Sequence, residues 1–321
     1  MGRRSDGNGI GATQNAPGGG VAGEHTVAGA VSRTIAYADV FDYPLTAPEV
    51  HRYLIGVRAS PSQVYRVLHE KTQSGELAAR FGFFTLAGRQ ELVDLRCRRE
   101  VFAQALWPQA VRYGRLIGAL PFVRLVAVTG SLAVDNVDPQ ADIDYLIVTE
   151  PGRLWLSRAF TILVVRLAAT AGVPLCPNYF LSLNALAFQE RNLYTAREVV
   201  QMVPLSGKQT YRRMRQLNDW TTRFLPNADH APRRWSPPQP SLPRRLVRSA
   251  AESALRTPPG GWLERWEMQR KIARFANGDG PEQIEAAFCP DWCKGHFDGH
   301  GQRILEAYAQ RLAQLETDRL T

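Results

Sequence analysis

Two carboxylates stand two residues apart at the head of an apolar run: Asp142 and Asp144, in ADIDYLIVTE. The run Ile143–Val148 is rich in β-branched residues and short enough to be a strand rather than a helix. In a strand, positions i and i+2 share a face, so both carboxylates project together while Ile143 turns into the core. Their Cα atoms then lie roughly 6.5–7 Å apart. Such a pair suits a divalent ion. Mg2+ takes one or two carboxylates and completes its octahedron with waters and phosphate oxygens. Upstream, another apolar run, Leu125–Val128, ends in Thr129-Gly130-Ser131. Glycine lets the backbone approach a phosphate closely, and the N–H groups that follow can form an anion-binding nest.

A strand closing in Gly-Ser, a short polar gap, and Asp-x-Asp opening the next strand resembles the signature of the polymerase-β-type nucleotidyltransferase superfamily. The matching residues are Gly130-Ser131 and Asp142-Ile143-Asp144. The resemblance implies an α+β fold whose core is a nucleotidyltransferase-like mixed sheet with flanking helices. It implies that Gly130 and Ser131 bind a nucleoside triphosphate, and that Asp142 and Asp144 are catalytic and hold Mg2+ (or Mn2+). The expected reaction moves a nucleoside monophosphate to an acceptor hydroxyl and releases pyrophosphate. The alternative is a catalytically weak or inactive nucleotide-sensing regulator that binds DNA or a protein partner. A toxin-type transferase acting on protein or RNA is a third reading.

In the superfamily the third strand often brings a third carboxylate, which binds metal and can take the proton of the attacking hydroxyl. The matching run here, Leu175–Leu183 (LCPNYFLSL), holds no acid. Its polar candidate is Asn178, which can coordinate a metal but cannot act as a base. Glu190, in the following loop, is an auxiliary candidate. Glu198 can also reach the site, but it reads better as the capping partner of Thr195.

These residues need elements to position them. The first 30 residues, rich in glycine and small side chains, are expected to be a disordered tail. Residues 31–92 predict helices over Ser32–Phe41, Ala47–Ile55 and Pro61–Ser74, then a hairpin turning near Gly82. The pairs Thr46/Glu49 and Ser60/Gln63 have capping-box spacing. Three short helices and a hairpin look like a winged-helix domain, with Arg66, His69, Lys71 and Arg80 as candidate nucleic-acid contacts. Residues 93–225 are assigned to the core and its connecting helices. A helix over Asp94–Leu120 is expected to kink or divide at Pro108. Another runs from Pro151-Gly152 to Ala171. Thr195 opens one more, Pro204–Gly207 breaks it, and Lys208–Phe224 follows. Lys208 heads that last helix with Arg212, Arg213 and Arg215, cations able to hold a triphosphate or a nucleic-acid backbone. Residues 226–245 read as a proline-rich linker and 246–321 as a helical C-terminal region.

The chain has 321 residues, a net charge of +9 and a pI near 9.7, which favours polyanionic partners. Its four cysteines do not form a secreted disulfide framework. Cys289, Cys293, His296 and His300 could be zinc ligands. Their spacing is tighter than in common zinc modules, and the aromatic neighbours point instead to packing. The most apolar stretch, Leu154–Val173, carries Arg158 and Arg166 and reads as a buried helix rather than a membrane span. No apolar leader is evident in the first 30 residues, so a cytoplasmic location is expected.

Overall fold

A computed structural model describes residues 26–230, 242–276, 289–294 and 299–318. Most of the expected tail, and the heart of the expected linker at 231–241, lie outside them. Helix α1 (Val27–Asp39) starts earlier than its spacing predicted, inside the expected tail. The Thr26 hydroxyl accepts from the Gly29 N–H, giving the helix an N-cap there. Strand β1 (Leu45–Thr46) leads into α2 (Ala47–Arg52), which is shorter than expected. Helix α3 (Pro61–Gln73) follows, then strands β2 (Leu77–Arg80) and β3 (Phe83–Leu86). Both capping boxes form. Between β2 and β3, Phe81 and Gly82 take φ of 52° and 80°. Positive φ at both central residues matches the twist of a tight hairpin. The three strands pair antiparallel in the order β1-β3-β2.

Helix α4 (Leu92–Gly118) runs unbroken through Pro108, so the proline does not divide it. Pro108 lies on an exposed face, as does Gln104 one turn earlier, so water can satisfy the carbonyl that loses its partner. The core alternates from there: β4 (Val123–Val128), the single turn α5 (Gly130–Ala133), β5 (Ile143–Thr149), α6 (Leu154–Thr170), β6 (Leu175–Ser182) and α7 (Leu193–Gln201). Next comes β7 (Val203–Ser206), where a helix break was expected. Val203 and Leu205 alternate inward, and Pro204 is tolerated because β7 is an edge strand. The expected Lys208–Phe224 helix is two: α8 (Lys208–Leu217) and α9 (Thr221–Phe224). Asn218 separates them. Its buried amide donates to the Leu186 and Met214 carbonyls and accepts from the Phe188 N–H.

Helix α10 (Leu242–Leu255) begins inside the expected linker. Helix α11 (Pro258–Ala276), strand β8 (Trp292–Lys294) and helix α12 (His300–Asp318) complete the described chain. The C-terminal region is therefore not purely helical: β8 joins the central sheet. That sheet is mixed, ordered β7-β4-β5-β6-β8, with β5 and β6 parallel and the other neighbours antiparallel. Its strands are apolar on both faces because both are covered. Residues of α4 and α6 pack on one face, joined by Met268 and Ile272 of α11. Residues of α7 and α8 pack on the other. The architecture is α+β, and no described helix is long and apolar enough to cross a membrane.

Two partly buried ionic knots hold the outer parts to this sheet. Arg96 of α4 pairs with Glu49 of α2 (3.2 Å) and Glu100 (2.8 Å), and donates to the Asp135 carbonyl beside the α5 turn. At the far end of β4, Glu252 of α10 accepts from Arg124 (2.9 Å), Arg248 (3.0 Å) and the Phe122 N–H (2.8 Å). Burial alone would raise the Glu252 carboxyl, but these donors outweigh it and hold the group at about 2. Stability from a lowered carboxyl is present above its unfolded value and lost as pH falls toward the folded one. Glu252→Ala is expected to cost about 2 kcal/mol at pH 7, since it strands donors that are partly buried. Urea unfolding checks this, and the deficit should shrink between pH 4 and pH 2.

Candidate functional site

The turn after β4 and the start of β5 are locked together. The Thr129 N–H donates to the Asp144 carbonyl at 3.0 Å. Gly130 takes φ of 63°, and a Cβ there would run into the Asp144 carboxylate. Glycine is thus required twice, for the left-handed backbone and for the close approach of the acid. Asp142 is exposed just before β5, Asp144 is partly buried within it, and both line one cavity of about 940 Å³. Gly130, Ser131, Asn178, Glu190 and Glu198 line the same cavity. The strand spacing does what it implies: the two acids share a face while Ile143 is buried.

Burial raises the Asp144 carboxyl, the Asp142 charge raises it further, and the Asn178 hydrogen bond opposes both. The result is about 7. Neither aspartate has a cationic partner among the described residues. Asn178 donates through Nδ2 to Asp144 Oδ1, while its own Oδ1 accepts from the Cys176 thiol at 2.8 Å. The amide is held by both neighbours, so it positions Asp144 and its oxygen is engaged. Burial, then the charges of Asp144 and Asp142, push the Cys176 thiol up to about 12, which keeps it protonated.

A third acid on the cavity wall, Glu198, lies on a helix rather than a strand. Asn192 is the N-cap of α7 and accepts from the Thr195 N–H at 2.8 Å, so Thr195 and Glu198 form no capping pair. Glu198 sits in the helix interior, on the cavity wall, where it accepts from Gln201. Burial and then the Asp144 charge raise its carboxyl to about 7, against the pull of Arg197. A cap at Asn192 would have moved the helix start and put Glu198 past its first turn, a signal the sequence carried.

Other candidates fall elsewhere. Lys208 is exposed and is not on the cavity wall. Strand β7 runs antiparallel to β4, and Gly207 packs on Arg124 at the start of β4, whereas Gly130 follows its end. Lys208 therefore stands at the wrong end of the sheet for a phosphate ligand. On α3, Arg66 and His69 are exposed, but Lys71 is buried and pairs with Glu76 at 2.6 Å. Lys71 is thus no outward contact. Arg80 pairs with Asp94 at 2.8 Å and lies over the Phe81 ring.

Cys289 and His300 touch the cavity wall, and Cys293 is buried in β8. His296 lies outside the described residues. Among the described residues, no three His, Cys, Asp or Glu side chains are grouped to hold one metal ion. The wall also includes residues the sequence reading did not single out. Tyr37, Phe41 and Tyr43 come from the N-terminal unit, Arg197 from α7, and Trp292 and Arg303 from the C-terminal region.

Comparison of the chain with protein-family models, with curated proteins and with solved structures finds no match. Two unpaired carboxylates facing one space suit Mg2+, which needs only one or two such ligands when waters and phosphate oxygens supply the rest.

Proposed function

We propose that this chain is a Mg2+-dependent nucleotidyltransferase with a polymerase-β-type core behind a winged-helix-like N-terminal domain. The observation that carries the reading is the cavity wall, where Asp142 and Asp144 face the Gly130-Ser131 turn and Glu198 supplies a third acid. The antiparallel β4–β5 pair with parallel β6 fits such a core. The β1-β3-β2 sheet with its three helices fits the winged-helix part.

Asp142 and Asp144 would hold the ion, and its charge would offset the negative charge that builds on the phosphates. Gly130 gives the triphosphate room to approach the backbone. Asn178 fixes the rotamer of Asp144. Glu198, raised toward neutrality, takes the proton from an acceptor hydroxyl as that oxygen attacks in line and pyrophosphate leaves. Positioning and electrostatics supply most of the acceleration.

Incubating the protein and Mg2+ with a cell extract and triphosphates labelled at the α-phosphate tests this. The expected result is label in one extract fraction and release of pyrophosphate, both abolished by EDTA. Mg2+-dependent ATP binding with no pyrophosphate from any fraction would overturn the enzyme in favour of a nucleotide sensor.

A further inference from the structure

The cavity has a second polar centre, away from the aspartates. Arg197 of α7 is only 6% exposed, yet it forms no ion pair among the described residues. Its Nε donates to Gln201 at 3.3 Å. Its guanidinium lies flat on Tyr53, 3.3 Å from the ring centre, with the Tyr37 ring 5.9 Å away. Stacking covers the guanidinium face and leaves the two Nη groups at its edge without acceptors. Tyr37 of α1 is 2% exposed, and its hydroxyl is buried with no hydrogen-bond partner. Both residues line the cavity.

A buried donor left unmade, as at the Tyr37 hydroxyl, costs free energy unless something accepts from it. An arginine cannot accept from a tyrosine, so the partner must come from outside. The fork of Arg197 fits two oxygens of one carboxylate or phosphate, and such a bond is charge-assisted. The other charged side chains on this wall are Asp142, Asp144, Glu190, Glu198 and Asp291, with Arg303 from α12. Glu198 is the next residue on the helix, and successive helical positions diverge by about 100°. It feels both the Asp144 charge and the pull of Arg197, while the Arg197 guanidinium stacks toward α1 and α2 and forms no ion pair with it.

We infer that the lobe of the cavity between α1 and α7 is a metal-independent oxyanion subsite, in which Arg197 and the Tyr37 hydroxyl hold a phosphate or carboxylate of a bound substrate. Within the nucleotidyltransferase reading, on which only the source of the group rests, that oxyanion belongs either to the triphosphate or to the acceptor. Its recognition needs neither Asp142 nor Asp144.

Titration calorimetry of the full chain with pyrophosphate in EDTA tests the subsite. The wild type should bind. Arg197→Met should weaken binding about tenfold or more, and Arg197→Lys, which keeps the charge but loses the fork, by an intermediate factor. Tyr37→Phe removes one oxygen and leaves the packing, so it reports on the subsite even if the Arg197 variants unfold. It should weaken binding about threefold to tenfold. No binding by the wild type, or wild-type affinity in both Arg197→Met and Tyr37→Phe, overturns the inference.

Mg-ATP then identifies the source. Weakened Mg-ATP binding by Arg197→Met assigns the oxyanion to the triphosphate. Unchanged Mg-ATP binding, with phosphate still adding to the Mg-ATP complex of the wild type but not of the variant, assigns it to the acceptor. Asp144→Asn should lose Mg-ATP and keep pyrophosphate in EDTA. If it keeps both, the metal site fails while the subsite stands.

Discussion

Asp144→Asn is expected to abolish nucleotide transfer while stabilising the metal-free protein above neutral pH. The two effects share one cause. Asp144 places a charge in a partly buried site, beside a second carboxylate and with no cation to offset it. Its carboxyl is raised to about 7 in the folded chain. Below the unfolded value, near pH 4, both states are protonated and the group makes no difference. Between that value and the folded one, near 7, the unfolded chain ionises this group while the folded chain keeps it protonated, so stability falls across that window and levels off above it. Asparagine removes the charge and keeps an oxygen for the Asn178 amide to donate to.

The variant should gain on the order of 2 kcal/mol at pH 8 and nothing at pH 4, a figure discounted from the full shift because the cavity is partly hydrated. Mg2+ should raise the melting temperature of the wild type at pH 8 and leave the variant unmoved. Transfer should fall by about a thousandfold or more, since a charge-neutralising ligand is lost where charge builds up. Thermal melts at both pH values with and without Mg2+, beside a pyrophosphate-release assay, check each part. A variant that transfers at the wild-type rate would put the chemistry elsewhere.

Much of this site was legible because it depends on local rules. Period-two spacing put Asp142 and Asp144 on one face, and the glycine at 130 marked a close approach of chain to acid. Capping boxes at Thr46 and Ser60 fixed two helix starts, since each is complete within four residues. What the sequence hid was set by tertiary partners. Pro204–Gly207 reads as a helix break, and only the pairing of Val203–Ser206 with β4 makes a strand there. Trp292–Lys294 is three residues long and gains its partner, β6, from more than a hundred positions away. Lys71 carries an outward residue type on an inward face, and Glu76 makes that burial tolerable. The N-terminal wall of the cavity, with Tyr37 and Tyr43, is invisible without the Arg96 knot that draws the two units together.

Glu198 is the sharpest case, because its role turned on one cap. Glu198→Gln is expected to lower the turnover rate by about a hundredfold to ten-thousandfold while leaving Mg-ATP affinity nearly unchanged. Glutamine keeps the size of the side chain and an oxygen to accept from Gln201, so the fold of α7 should persist. It cannot take a proton. In the wild type the rate should rise as the carboxyl ionises, with the metal-free value near 7 drawn lower once a cation occupies the neighbouring acids. The variant should show a low rate with no such rise. A pH–rate profile separates this from a structural role, in which rate and affinity would fall together and the profile would keep its shape. A full profile in Glu198→Gln, with its acid limb lost in Glu190→Gln instead, would move the base to the loop that follows β6, which also reaches the cavity. The helix is the stronger position of the two. Its backbone is fixed by the Asn192 cap and by the buried Val199 and Val200, and a base held on a rigid element keeps its distance to the attacking oxygen.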